Sequence, residues 1–155
     1  MTDFDDTGPN TAVQDWMFNQ SGVIPFRYED GALRILLITS RRKKHWLVPK
    51  GIIESHLTPI ESAAQEAMEE AGVRGRIPSR PIGEYDYDKW GGTCHVEVFL
   101  LEVEEELPEW PESFFRERRW MSVEEAAALV DQKGLRRLIR LVPGYLTDKH
   151  GPESG

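Results

Sequence analysis

The chain has 155 residues, of which 39% are apolar and 30% charged, and its net charge is −8. This length suits one domain with a sizeable core. The acidic balance argues against a general nucleic-acid or membrane-surface binder, which would be basic. Cys94 is the one cysteine, so no internal disulfide and no Cys/His spacing for structural zinc is available. The apolar runs at 35–38 and 98–101 are too short to span a bilayer. The acidic start, MTDFDDTGPN, lacks the basic-then-apolar order of a signal peptide, so a cytoplasmic location is the default expectation.

In chain order, residues 1–15 read as a disordered leader, 16–146 as one domain and 147–155 as a flexible tail. Residues 21–28 predict a strand, 29–32 (EDGA) a turn and 33–39 (LRILLIT) a buried strand. A basic loop, SRRKKH at 40–45, leads into the short apolar WLVP at 46–49. A helix follows. Residues 81–88 and 93–103 flank KWGG and predict a hairpin. Ser122 and Glu125 form a capping box opening a helix over 122–131, and 134–142 predicts another. Strands interspersed with helices imply an α/β chain with a mixed sheet covered by helices.

The helix after residue 58 has marked ends. Thr58 suits the N-cap, Pro59 the first helical position and Glu61 the capping box, while Gly72 suits the left-handed position beyond the C-terminus. Glu66, Glu69 and Glu70 fall within about 100° of arc at one turn per 3.6 residues. Ala63, Ala64, Ala67, Ala71, Ile60 and Met68 cover a separate, mostly small-residue face. Carboxylates at a helix C-terminus oppose its dipole and repel one another. Arg74, beyond the cap, is the cation closest by in sequence. A local rule broken without visible compensation marks a functional site, and a divalent cation would compensate. Three carboxylates with phosphate oxygens and water suit octahedral Mg²⁺ or Mn²⁺. The plain alternative is a solvated acidic face.

Residues 51–73 resemble the Nudix box, G-x5-E-x7-R-E-U-x-E-E-x-G-U, with Gly51, Glu66, Glu69, Glu70, Gly72 and Val73 in register. The resemblance implies an α/β/α sandwich and a hydrolase of phosphoanhydride bonds that uses Mg²⁺ or Mn²⁺. It makes Glu66, Glu69 and Glu70 the catalytic and metal residues, with Gly51 at the metal site. Leu57 and Gln65 depart from the pattern, standing where the family has a glutamate and an arginine that brace the loop onto the helix. Losing both members of such a pair can be nearly neutral, and an apolar contact is the expected replacement. The segments SRRKKHWLVPKG and FFRERRWMSVEEA resemble the diphosphoinositol and diadenosine polyphosphate branch. That likeness makes Ser40, Arg41, Lys50 and Arg116 phosphate contacts. The first strand lacks the branch's basic residues before Arg27.

Arg41, Arg42, Lys43 and Lys44 form a basic run that would attract a highly anionic substrate, or else is a solvated loop. The expected partner is a small phosphoanhydride substrate, with no nucleic acid and no membrane, and the oligomeric state stays open. Trp90 at the hairpin tip would stack on a base or cover apolar surface. His56 would lie on the surface, and Glu104–Glu106 would end a strand or add a metal ligand. The competing reading is a Nudix-fold sensor without turnover, which Leu57 and Gln65 favour and the three box glutamates oppose.

Overall fold

The computed structural model describes residues 17–149. The leader over 1–15 and the tail from 150 onward lie outside the described residues. Eight strands and three helices follow in the order β1 (Met17–Glu29), β2 (Ala32–Thr39), β3 (Trp46–Leu47), β4 (Lys50–Ile52), α1 (Pro59–Glu66), β5 (Val73–Arg76), β6 (Gly83–Lys89), β7 (Gly92–Glu106), β8 (Arg118–Ser122), α2 (Val123–Leu129) and α3 (Lys133–Lys149). A π-helical turn, Ala67–Ala71, continues α1.

The sheet is mixed. Its centre is a parallel pair, β1 with β7, in register from Met17↔Thr93 to Phe26↔Glu102. Each long strand carries two short antiparallel partners on its outer edge. β4 and β2 share that of β1, and β6 and β5 share that of β7. β3 and β8 extend β2. The outer edge of β1 therefore changes partner between Gly22 and Phe26, where Val23 N donates to Pro49 O at 3.1 Å.

Both faces of the sheet are covered, so the central strands are continuous apolar runs. Ile35, Leu37, Val96, Val98 and Leu100 point to the side of α2 and α3, meeting Leu135, Leu138, Ile139 and Val142. Leu36, Ile38, Phe99 and Leu101 point to the other side, meeting Ala63, Ala67 and Ala71. The small residues let α1 lie close on the strands. This is the expected α/β/α sandwich.

Both capping boxes form. Thr58 Oγ1 accepts from Glu61 N at 3.1 Å, and Ser122 Oγ from Glu125 N at 3.1 Å. The KWGG hairpin turns at Trp90 and Gly91, whose φ values are +58° and +74°. Positive φ at both central residues makes a type I′ turn. The first strand begins at 17 rather than 21, and β5 and β8 add to the strands read from the sequence. α3 runs on through Pro143 to Lys149, past the expected end at 142 and into the presumed tail. Leu146 is buried a turn beyond the proline, so packing holds the helix across the lost hydrogen bond.

Candidate active site

α1 begins at its capped N-terminus and carries the glutamates toward the sheet edge where β4 joins β1. The last turn is not α-helical. Gly72 N reaches back to Ala67 O as well as Met68 O, and Gly72 closes the turn at φ +67°. Such turns cluster at functional sites. Glu66, Glu69 and Glu70 face a cleft of about 320 Å³, together with Glu54 and Glu112.

The three box glutamates are held differently. Glu66 lies against Gly51, where a Cβ would meet its Oε2 at 2.3 Å. Any side chain at position 51 would displace that carboxylate. Glu70 is buried, and its Oε1 accepts from Lys50 N at 3.1 Å. Arg116 Nη2 stands 3.8 Å from Glu70 Oε2. Glu69 is half-buried and faces the same cleft. Burial pushes the Glu66 and Glu70 carboxyls above the usual range, and each also perturbs the other. Burial also raises Glu69, with further repulsion from Glu112 and Glu54.

Compensation for the misplaced charges comes from the far end of the sequence, not from Arg74, which pairs with Glu105 at 2.8 Å. Arg116 faces Glu70. Arg118 Nη1 donates to Ala71 O at 2.8 Å, Trp110 Nε1 to Glu70 O at 3.0 Å and Glu112 N to Glu69 O at 3.1 Å. The loop after β7 thus caps the helix that carries the carboxylates. Glu104–Glu106 do not line the cleft. Glu106 pairs with Arg27 and Arg118 instead. Glu112 is the acidic residue this region contributes, and no local spacing announced it.

The loop brace also differs from the apolar contact expected of Leu57 and Gln65. Gln65 Nε2 reaches Glu54 Oε2 at 3.4 Å. A polar link from helix to loop persists, with the acidic partner three residues earlier in the chain.

The basic run splits three ways. Arg41 lines the carboxylate cleft, with its guanidinium 4.1 Å over the Phe115 ring. Arg42 and Lys44 line a second cavity of about 480 Å³, whose wall includes Tyr85 and the start of α3. Lys43 lines neither and approaches Glu117 at 3.9 Å. Ser40 is buried, and its Oγ accepts from Lys44 N and His45 N, both at 3.2 Å, so it shapes the loop. Lys50 lines both cavities, its Nζ 5.0 Å over the Tyr87 ring. Arg116 spends its donors within the protein, Nε to Glu112 at 2.6 Å and Nη1 to Thr39 O at 2.8 Å. Its place is that of an anchor for the acidic residues more than of a free phosphate contact. His56 is exposed, 3.6 Å from Glu54.

A family model, the NUDIX domain, matches residues 19–142. The chain belongs to this family. It is 39% identical over 131 residues to Nudix hydrolase 13, mitochondrial, of Arabidopsis thaliana, covering 70% of this chain and 65% of that protein. It is 35% identical over 103 residues to diphosphoinositol polyphosphate phosphohydrolase 2 of Rattus norvegicus, covering 65% of this chain and 56% of the relative. The chain therefore spans somewhat under two thirds of the length of these curated relatives. The crystal structure of an Ap4A hydrolase of C. elegans superposes with a TM-score of 0.71 at 21% identity, over 84% of this chain and 99% of the other. That likeness is one of fold, and it agrees with the sandwich described above.

The Nudix carboxylates suit a hard divalent cation. All available donors are oxygens, the cleft is acidic, and Gly51 leaves room for the Glu66 carboxylate beside it. Among the described residues, no three His, Cys, Asp or Glu side chains already converge at ligand distance.

Proposed function

We propose that this Nudix chain is a Mg²⁺- or Mn²⁺-dependent pyrophosphohydrolase that cleaves a phosphoanhydride bond in a phosphate-rich small molecule. The observation that carries this reading is the cleft itself. Glu66, Glu69 and Glu70 line it from one helix end, and Arg41 and Lys50 line the same cleft. A bound divalent cation would polarise the phosphoryl oxygens and lower the pKa of an attacking water. Glu66 and Glu70, with Glu69, would hold it. Glu70 is fixed for this by the Lys50 amide and Arg116, and Glu66 by its seat against Gly51. A box glutamate, or another group nearby, would take the proton released by the water. Arg41 and Lys50 balance the phosphates, which five glutamates would otherwise repel. A cytoplasmic location is part of the proposal. No described helix is long and apolar enough to cross a membrane.

The test is a phosphate-release screen with Mg²⁺ and with Mn²⁺. It covers nucleoside diphosphate derivatives, dinucleoside polyphosphates, capped RNA and inositol pyrophosphates. Metal-dependent turnover of any of them supports the reading. No turnover on all of them favours a sensor.

A further inference from the structure

A helix leaves its last four carbonyls without a partner of its own. At the end of the glutamate helix these are Glu69 to Gly72, since the Gly72 amide donates to Ala67 O and Met68 O. One segment, 107–118, supplies a donor to each of them. Glu112 N bonds Glu69 O at 3.1 Å, and Leu107 N bonds Gly72 O at 2.8 Å. Between them, Trp110 Nε1 bonds Glu70 O at 3.0 Å and Arg118 Nη1 bonds Ala71 O at 2.8 Å. These two side chains form one unit. The Arg118 guanidinium lies 3.9 Å over the Trp110 ring, and its Nε faces Glu106 Oε2 at 3.3 Å. A Cβ on Gly72 would meet Trp110 Cβ at 2.7 Å and Arg118 Nη1 at 2.8 Å, so the pair is pressed against the end of the π turn. Neither residue lines the carboxylate cleft. A π turn is rare and spaces its side chains differently from an α-helix. Bonds to its outer carbonyls fix the peptides from which Glu69 and Glu70 project.

Resting on the hydrolase reading above, we infer that Trp110 and Arg118 are positioning residues: they clamp the π turn so that Glu69 and Glu70 stand with Glu66 at the spacing one divalent cation requires. They touch neither cation nor substrate. They act through the backbone that carries the carboxylates, and without them the turn is free to relax and Glu70 loses its place relative to Glu66.

The experiment is calorimetric titration of the full chain with Mn²⁺ alone, paired with kinetics on the substrate that the phosphate-release screen identifies. Trp110→Phe drops the indole N–H and keeps a ring beneath Arg118. It is expected to weaken Mn²⁺ about tenfold or more, the scale for losing a group that orients a metal's ligands. Its kcat should fall by a similar factor with KM within about twofold, because Trp110 meets no substrate. Arg118→Lys should weaken Mn²⁺ in the same way, and it carries the test should Trp110→Phe fail to fold. Val142→Ala lowers stability from the core on the other side of the sheet, away from the clamp, and should leave Mn²⁺ affinity within about twofold. Parental Mn²⁺ affinity in both clamp variants, an equal loss in Val142→Ala, or a loss confined to KM overturns the inference. Mn²⁺ binding that follows the expected pattern without turnover of any substrate would sink the hydrolase reading and leave the clamp standing. Turnover by the parent, with clamp variants that bind Mn²⁺ as the parent does, would do the reverse. No Mn²⁺ binding by the parent overturns both.

Discussion

Arg116 and Glu70 meet in the cleft floor, Nη2 to Oε2 at 3.8 Å, and each residue is 8% exposed. The same guanidinium serves Glu112 and the Thr39 carbonyl. Arg116→Ala would leave three acceptors short of a partner in a buried place. It should cost about 3 kcal/mol or more, measured by urea unfolding. Arg116→Lys should recover only part, since an ammonium lacks the planar fork that reaches all three.

Glu69→Gln and Glu70→Gln should each lower turnover by about a hundredfold or more, read as kcat on whichever substrate the screen identifies. Thermal stability in chelator should hold or rise, because like-charge repulsion is relieved. Saturating Mn²⁺ should stabilise the parent, by about 2.7 kcal/mol at a hundred times its Kd, and should stabilise Glu70→Gln less. A variant that unfolds while its folded fraction keeps full activity would make these residues structural.

The Glu54–Gln65 contact predicts a small coupling. Both residues are near the surface, so a double-mutant cycle of Glu54→Gln with Gln65→Ala should give under about 1 kcal/mol. Gln65→Arg alone should tighten the loop, since its acidic partner is already in reach. A coupling of zero would leave the loop held by its backbone hydrogen bonds alone, such as Leu57 N to Glu54 O at 3.0 Å.

Tyr85 gives an alkaline signature. Burial pushes its phenol from 10.0 up to about 12, against a smaller lowering by Lys50. The folded state therefore keeps its proton where the unfolded state has released it. The stability this contributes is complete below pH 10 and is lost as pH rises from there toward 12. Urea unfolding between about pH 9 and 11.5 should show the parent falling more steeply than Tyr85→Phe. At neutral pH that variant should match or exceed the parent, because the buried Tyr85 hydroxyl has no hydrogen-bond partner.

The split basic run predicts split kinetics. Arg41→Ala should impair every substrate, since Arg41 lines the carboxylate cleft. Arg42→Ala with Lys44→Ala should raise KM for a long polyphosphate and flatten its salt dependence, while sparing a short substrate such as ADP-ribose. Lys43→Ala should change neither. An equal effect of the double variant on both substrates would remove the second cavity from substrate selection.

What the sequence made legible was local. Thr58, Pro59, Glu61 and Gly72 mark α1 by chemistry confined to a few residues, and KWGG marks its hairpin in the same way. The family pattern is equally local, because one helix end carries it. The sequence was silent where distant segments decide. The parallel pairing of β1 with β7 and the short strand β5 depend on neighbours far along the chain. Arg116, Arg118 and Trp110 reach the π turn from forty or more residues away, so Arg74 alone suggested itself as compensation. Glu112 came with that loop. Lys43 and Arg42 are adjacent in sequence and face different surroundings, which a run of like residues cannot show.

The π turn at Ala67–Ala71 has a bearing on how the chain can vary. Such a turn holds one residue more than an α-helix would over the same rise. Deleting one residue within it, Met68 for instance, would restore a regular helix and let the chain still close at Gly72. It would also move Glu69 and Glu70, which lie within the turn, to a different angle from Glu66, which precedes it. Glu66 would then leave Gly51, or Glu70 would leave the Lys50 amide. The spacing between these glutamates is thus fixed by the backbone as firmly as by their charge, and shortening the segment would separate folding from chemistry.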